Sequence, residues 1–161
     1  MDAVDRRLLD LLRADGRASY AELARSVGLS SSAVHERVAK LESAGVITGY
    51  RAVVEPAALG LGVTALISII PGENGQDGQI AAALDGMVEV ESCYAVAGDE
   101  TFILKVRVPT VDDLHGCLGR LRNIDGVART RTTVVLATRF EARPPPDTDG
   151  PHIHRPTRDD A

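Results

Sequence analysis

The stretch Ser19-Tyr20-Ala21-Glu22-Leu23-Ala24-Arg25-Ser26-Val27-Gly28-Leu29-Ser30-Ser31-Ser32 decides how the chain is read. Ser19 and Glu22 stand at the spacing of a capping box, in which the serine hydroxyl accepts from the N–H of Glu22 and the carboxylate reaches back to the N–H of Ser19. A short helix running to about Val27 follows, burying Leu23, Ala24 and Val27. Gly28 allows the positive-φ turn that ends it, Leu29 is an apolar anchor, and Ser30, Ser31 and Ser32 offer N-cap hydroxyls to a further helix. Short helix, glycine turn and capped helix in that order make a helix-turn-helix.

Upstream, Val4, Leu8, Leu11 and Leu12 have the spacing of an amphipathic helix, with Asp2 and Asp5 near its start and Gly16 just past its end. Downstream, Val34, Val38 and Leu41 share one face of the helix that Gly45 closes. Ser32, Glu36, Ala39 and Ser43 lie opposite, flanked by His35 on one side and by Arg37 and Lys40 on the other. A polar outer face with cations at one edge suits a major groove. It makes Ser32, His35 and Glu36 candidates for base edges, with Glu36 able to accept from cytosine N4, and Ser31, Arg37 and Lys40 candidates for phosphate contact. The solvated side of a small three-helix bundle has the same composition, because Glu36 and Glu42 offset Arg37 and Lys40. A bundle that binds a protein partner is therefore the alternative function.

From Val46 the periodicity changes. Val46-Ile47-Thr48-Gly49-Tyr50-Arg51-Ala52-Val53-Val54 is rich in β-branched residues and leads to Pro56, an extended connector followed by an apolar turn through Leu59 and Leu61. Beyond it the sequence predicts strand 63–70, helix 79–84, strands 88–97 and 101–108, helix 111–121 and strand 127–137. That order, βαββαβ, is the ferredoxin-like split unit. Four strands and two helices leave one sheet face uncovered. The stretch from Val88 to Ala97 carries apolar residues on both sides, which suits a strand buried against a second subunit. The domains so drawn are 1–50, a connector over 51–62, 63–140, and a tail over 141–161.

Composition supports two small modules. The chain has 161 residues, 44% of them hydrophobic, and a net charge of -5. Residues 1–51 hold eight Arg and Lys against seven Asp and Glu, so only this third, at net +1, is placed to approach phosphate, and weakly per copy. No run approaches the roughly 18 apolar residues of a membrane span, and the acidic N-terminus is unlike a secretory signal; the expectation is a cytoplasmic protein with no membrane. Cys93 and Cys117 are too few and too isolated for a disulfide framework or a zinc site and read as buried small apolar residues. Histidines at 35, 115, 152 and 154 are scattered, and no nucleophile–base grouping, phosphate loop or metal cluster accompanies them, so neither an enzyme nor a cofactor is expected. His152 and His154 alone fall short of a metal site. Four of the eight prolines lie between Pro144 and Pro151, and the tail that follows reads as disordered.

Several stretches resemble the Lrp/AsnC family, the leucine-responsive and asparagine regulators of bacterial transcription. They are Asp2 to Leu9, Asp15 to Ala24, Val27-Gly28-Leu29-Ser30, Arg37-Val38, Leu41-Glu42, Gly45 to Tyr50, Glu91-Ser92-Cys93-Tyr94 through Gly98, and Gly126-Val127 through Thr130 and Thr132. The resemblance covers about residues 2–140. It implies an α+β chain in which a winged-helix-like helix-turn-helix binds double-stranded DNA and a ferredoxin-like domain forms homodimers, and often octamers. It also implies an amino-acid effector bound between sensor domains. The family's marker there is Gly-acidic-x-Asp-aromatic in the turn between the second and third sheet strands. Here it reads Gly98-Asp99-Glu100-Thr101-Phe102, with Thr101 in place of the aspartate. The chemistry fits, since a glycine turn exposes N–H groups to a carboxylate while Asp99 or Glu100 meets an ammonium. A polar hairpin turn favours the same residues. Thr130 and Thr132 on the last strand are further candidates for the ligand.

Overall fold

The computed structural model of the chain describes residues 1–141; the proline-rich run from Pro144, His152 and His154 lie outside them. The chain divides into two units within the predicted connector, Met1–Ala52 and Val53–Arg139.

The first unit holds α1 (Ala3–Ala14), α2 (Tyr20–Val27) and α3 (Ser31–Ser43). The Ser19–Glu22 box forms at the head of α2, Ser19 N donating to the Glu22 carboxylate at 2.8 Å and Glu22 N to Ser19 Oγ at 3.3 Å. A second box heads α1. There Asp2 and Asp5 each accept from the other's backbone N–H at 2.9 Å. Gly28 takes φ 69° and ends α2, and Ser30 caps α3 by accepting from Ala33 N at 3.2 Å. Leu8, Leu23, Ala24, Val34 and Val38 are buried together, with Val4, Leu11, Leu12 and Val27 packed around them. Burial of each large side chain in this set contributes roughly 1.5–3 kcal/mol. Leu29 is a correction: it is 36% exposed and stands outside this core, because the turn carries it outward.

Residues 46–55 form the connector without a strand, Ile47 packing on the core of the first unit and the Tyr50 hydroxyl donating to Glu42. A short 3₁₀ turn, Pro56–Leu59, closes the connector.

The second unit is β1 (Val63–Pro71), α4 (Asp77–Asp85), β2 (Val90–Ala95), β3 (Phe102–Val108), α5 (Val111–Arg122) and β4 (Val127–Val134), with antiparallel sheet order β2-β3-β1-β4. This is the expected ferredoxin-like unit. Ala65, Ile67 and Ile69 of β1 alternate inward with Phe102, Leu104, Val106 and Val108 of β3, and Ile80, Leu84, Leu114, Cys117 and Leu121 of α4 and α5 cover them. Strands β2 and β4 stop short of their predicted ends, and Val88 and Leu136 beyond them are 95% and 96% exposed. Cys117 is buried, whereas Cys93 is exposed: the edge strand β2 lacks a neighbour there. The uncovered sheet face carries Leu66, 44% exposed, and Tyr94, 58% exposed. On the same face Lys105 and Arg107 meet Glu91 at 2.8 and 2.9 Å.

Three glycines bring the turn after β1 against the turn before β4. Gly72 N donates to Gly126 O at 2.8 Å, and a Cβ on Gly75 would stand 2.6 Å from that same oxygen. Gly126 itself has φ 88°, so both turns need glycine.

Candidate functional site

The outer side of α3 is the first candidate. Ser31, Ser32, His35, Glu36 and Lys40 are exposed there, while Val34, Val38 and Leu41 face the core. Ser32 Oγ lies 3.1 Å from Ser30 Oγ, so the capping serine also orients the first turn. The imidazole of His35 meets the Tyr20 ring edge-on, centroids 5.0 Å apart and planes at 86°. Glu36 pairs with Lys40 at 2.9 Å one turn on. Lys40, by its hydrogen bond and then its charge, holds the Glu36 carboxyl below its usual range, so Glu36 is an ionised acceptor at neutral pH.

Arg37, a phosphate candidate in sequence, is engaged within its own unit. Its guanidinium turns back onto α1 and donates to Asp2 and Asp5, each at 2.7 Å. The capping-box hydrogen bonds first, then those from Arg37, hold both carboxyls below the ordinary aspartate range, and the two carboxylates raise Arg37 in return. The cation is committed to docking α3 on α1. An open groove of about 560 Å³ beside this contact is lined by Met1, Asp5, Glu36, Arg37, Lys40 and Val46 among others. Its charged walls are already paired with one another.

The second candidate is the turn between β2 and β3. The Thr101 backbone is fully engaged, its N–H donating to Ile69 O at 2.9 Å and its C=O accepting from Val96 N at 3.1 Å. Gly98 and Asp99 are exposed, and neither has a side-chain or backbone partner among the described residues. Glu100 reaches across to Arg131 of β4 at 2.8 Å. Register separates the threonines from this pair. Thr130 and Thr132 lie opposite Ile69 and Ile67, on the helix-covered side, whereas Arg131 lies opposite Ser68, on the uncovered side with Glu100. The turn and Arg131 are thus brought together, and Thr130 and Thr132 are not placed with them. The Thr130 hydroxyl is buried without a partner among the described residues.

Three of these features escaped the sequence reading. Arg131 sits in Arg-Thr-Arg-Thr-Thr, which reads as a plain strand, and its partner is far away in sequence. The Asp2 box was legible as acidic residues at capping spacing, although its grip on Arg37 was not. Tyr20 was noted only inside the capping box.

Comparison with known proteins gives the context. Residues 1–42 match the AsnC-type helix-turn-helix domain, and residues 63–145 match the Lrp/AsnC ligand binding domain. The chain is 45% identical over 143 residues to the HTH-type transcriptional regulator LrpA of Mycobacterium tuberculosis, covering 89% of this chain and 95% of that one. It is 37% identical over 139 residues to the leucine-responsive regulatory protein of Salmonella typhimurium, covering 84% and 85%. Among solved structures, the feast or famine regulatory protein of M. tuberculosis complexed with L-methionine superposes with a TM-score of 0.84 at 45% identity, covering 89% of this chain and 97% of that chain.

Proposed function

The chain belongs to the Lrp/AsnC family of DNA-binding transcriptional regulators, which are not enzymes, and from that premise we propose how this member reads DNA and what it senses. The outer side of α3 enters the major groove. Ser32, His35 and Glu36 meet base edges, and Ser31 and Lys40 meet phosphates. On DNA, Lys40 leaves Glu36 for a phosphate, which frees an ionised carboxylate to accept from cytosine N4. Arg37 drops out of the phosphate set because Asp2 and Asp5 occupy it. The observation that carries this reading is the doubly capped helix-turn-helix with its exposed polar face.

The effector is an amino acid or a close relative, held at the turn Gly98–Thr101. Asp99 takes the ammonium, and Arg131, released from or shared with Glu100, takes the carboxylate. Thr130 and Thr132, on the other side of β4, shape the strand that carries Arg131 and contact the ligand only if it passes the sheet edge. Support comes from the relative bound to L-methionine. The uncovered sheet face, with Leu66 and Tyr94 exposed, joins two copies into a dimer, and dimers associate further, up to an octamer. The protein works in the cytoplasm, where its DNA is, and no helix among the described residues is long and apolar enough to cross a membrane.

A thermal-shift series over the twenty amino acids, run on wild type and Asp99→Ala, tests the sensor. A ligand that binds the folded chain raises its melting temperature by mass action. The shift vanishes in Asp99→Ala, whose unliganded melting is unchanged. A full shift in the variant moves the ammonium site away from this turn.

A further inference from the structure

We infer that Tyr20 is a positioning residue for sequence recognition: its ring fixes the imidazole of His35 in the orientation that meets a base edge. The inference deepens the DNA-reading role given to His35 and rests on it.

Tyr20 is the first residue of α2 and is 39% exposed, and it is not among the residues packed on the core of its unit. Its backbone is nevertheless held firmly, because the Ser19–Glu22 capping box closes around it. Its ring meets the imidazole of His35 at 5.0 Å with planes at 86°, and Tyr50 lies near enough to interact with it as well. Edge-to-face geometry is directional: the electron-rich face of one ring attracts the polarised edge of the other, and the contact weakens if the imidazole swings away.

His35 has two side-chain torsions and an exposed site on α3. Unrestrained, the imidazole would sample several rotamers and order only on meeting DNA, which weakens binding and blurs discrimination. Tyr20 removes that freedom beforehand and leaves the other edge of the imidazole open to the groove. Tyr50 also reaches α3: its hydroxyl donates to Glu42 at 2.9 Å, and desolvation first, then Glu42, raises its pKa to about 12.

The test is selection from a pool of duplexes with a randomised core, using full-length wild type, His35→Ala, Tyr20→Ala, Tyr20→Phe and the double alanine variant. His35→Ala lowers base preference at one or two positions of the half-site by about five-fold or more. Tyr20→Ala lowers preference at those same positions by roughly two- to ten-fold, the size of one edge-to-face contact, with no further effect in the double variant. Tyr20→Phe retains the ring and the preference. Uniform weakening by Tyr20→Ala at every position, additive with His35→Ala, overturns the positioning role and leaves Tyr20 as a backbone contact. If His35→Ala itself leaves every preference unchanged, the reading of His35 fails, and the inference about Tyr20 falls with it. Circular dichroism of Tyr20→Ala at the binding temperature verifies that its helices are intact.

Discussion

Arg37 neighbours Glu36 in sequence yet serves the other side of the helix. Its two bonds of 2.7 Å to Asp2 and Asp5 tie α3 to the start of α1. The aspartates are depressed in the folded chain, so their contribution to stability is present above the ordinary carboxylate value of about 4 and is lost as pH falls through the lower folded value. The double variant Asp2→Asn/Asp5→Asn keeps cap oxygens but loses the charge. It melts below wild type at neutral pH and has a shallower decline toward acid, as thermal melts across the acid range will measure. Arg37→Ala shares the neutral-pH loss, while Lys40→Ala melts like wild type and weakens duplex binding on all sequences. An Arg37→Ala variant with wild-type melting and the DNA defect of Lys40→Ala would falsify the docking role and return Arg37 to the phosphate contacts.

Elements show which physical signals a sequence carries. The Ser19–Glu22 box, the Gly28 turn and the core stripe of Val4, Leu8, Leu11 and Leu12 depend on neighbours within a turn or two, and all were legible. Ser19→Ala should cost about 1 kcal/mol in chemical denaturation of the first unit, the ordinary worth of an N-cap. Leu29 and Cys93 were misread because burial depends on which element arrives from elsewhere. The pairs Arg37–Asp2 and Arg131–Glu100 join residues 35 and 31 positions apart, beyond any local spacing rule, so the turn was legible in sequence and its cation Arg131 was not. Glycines give the sharpest contrast between local and tertiary cause. Gly78 lies within α4 with open space where a Cβ would go, and Gly78→Ala stabilises by roughly 0.5–1 kcal/mol through backbone entropy. Gly126→Ala meets a positive φ and the Cα of Gly75 at 2.9 Å, and it destabilises by about 2 kcal/mol or more. Urea melts of the two variants decide the matter by sign.

For the whole molecule the governing quantity is charge per copy against copies per site. Residues 1–51 carry a net charge of only +1, and on α3 Arg37 is bound inward while Lys40 begins paired with Glu36. One copy therefore has few cations to exchange for the counterions on DNA, and useful affinity requires linked copies, each supplying its own α3 at a high effective concentration. Each phosphate contact contributes about 0.9 to the slope of log affinity against log salt. A two-fold dimer with one Lys40 contact per copy should lose about 1.8 from that slope in Lys40→Ala, as fluorescence anisotropy over a salt series will show. Leu66→Asp places a charge at the centre of the uncovered sheet face and leaves the sequence of α3 unchanged. If copies join through that face, the variant sediments as a monomer, its affinity for duplex falls steeply, and its salt slope drops to about half that of wild type, because each binding event then engages one α3 instead of two. A Leu66→Asp protein that still sediments as an oligomer with the full slope puts the joint elsewhere, and the exposed Leu66 and Tyr94 would then need another occupant.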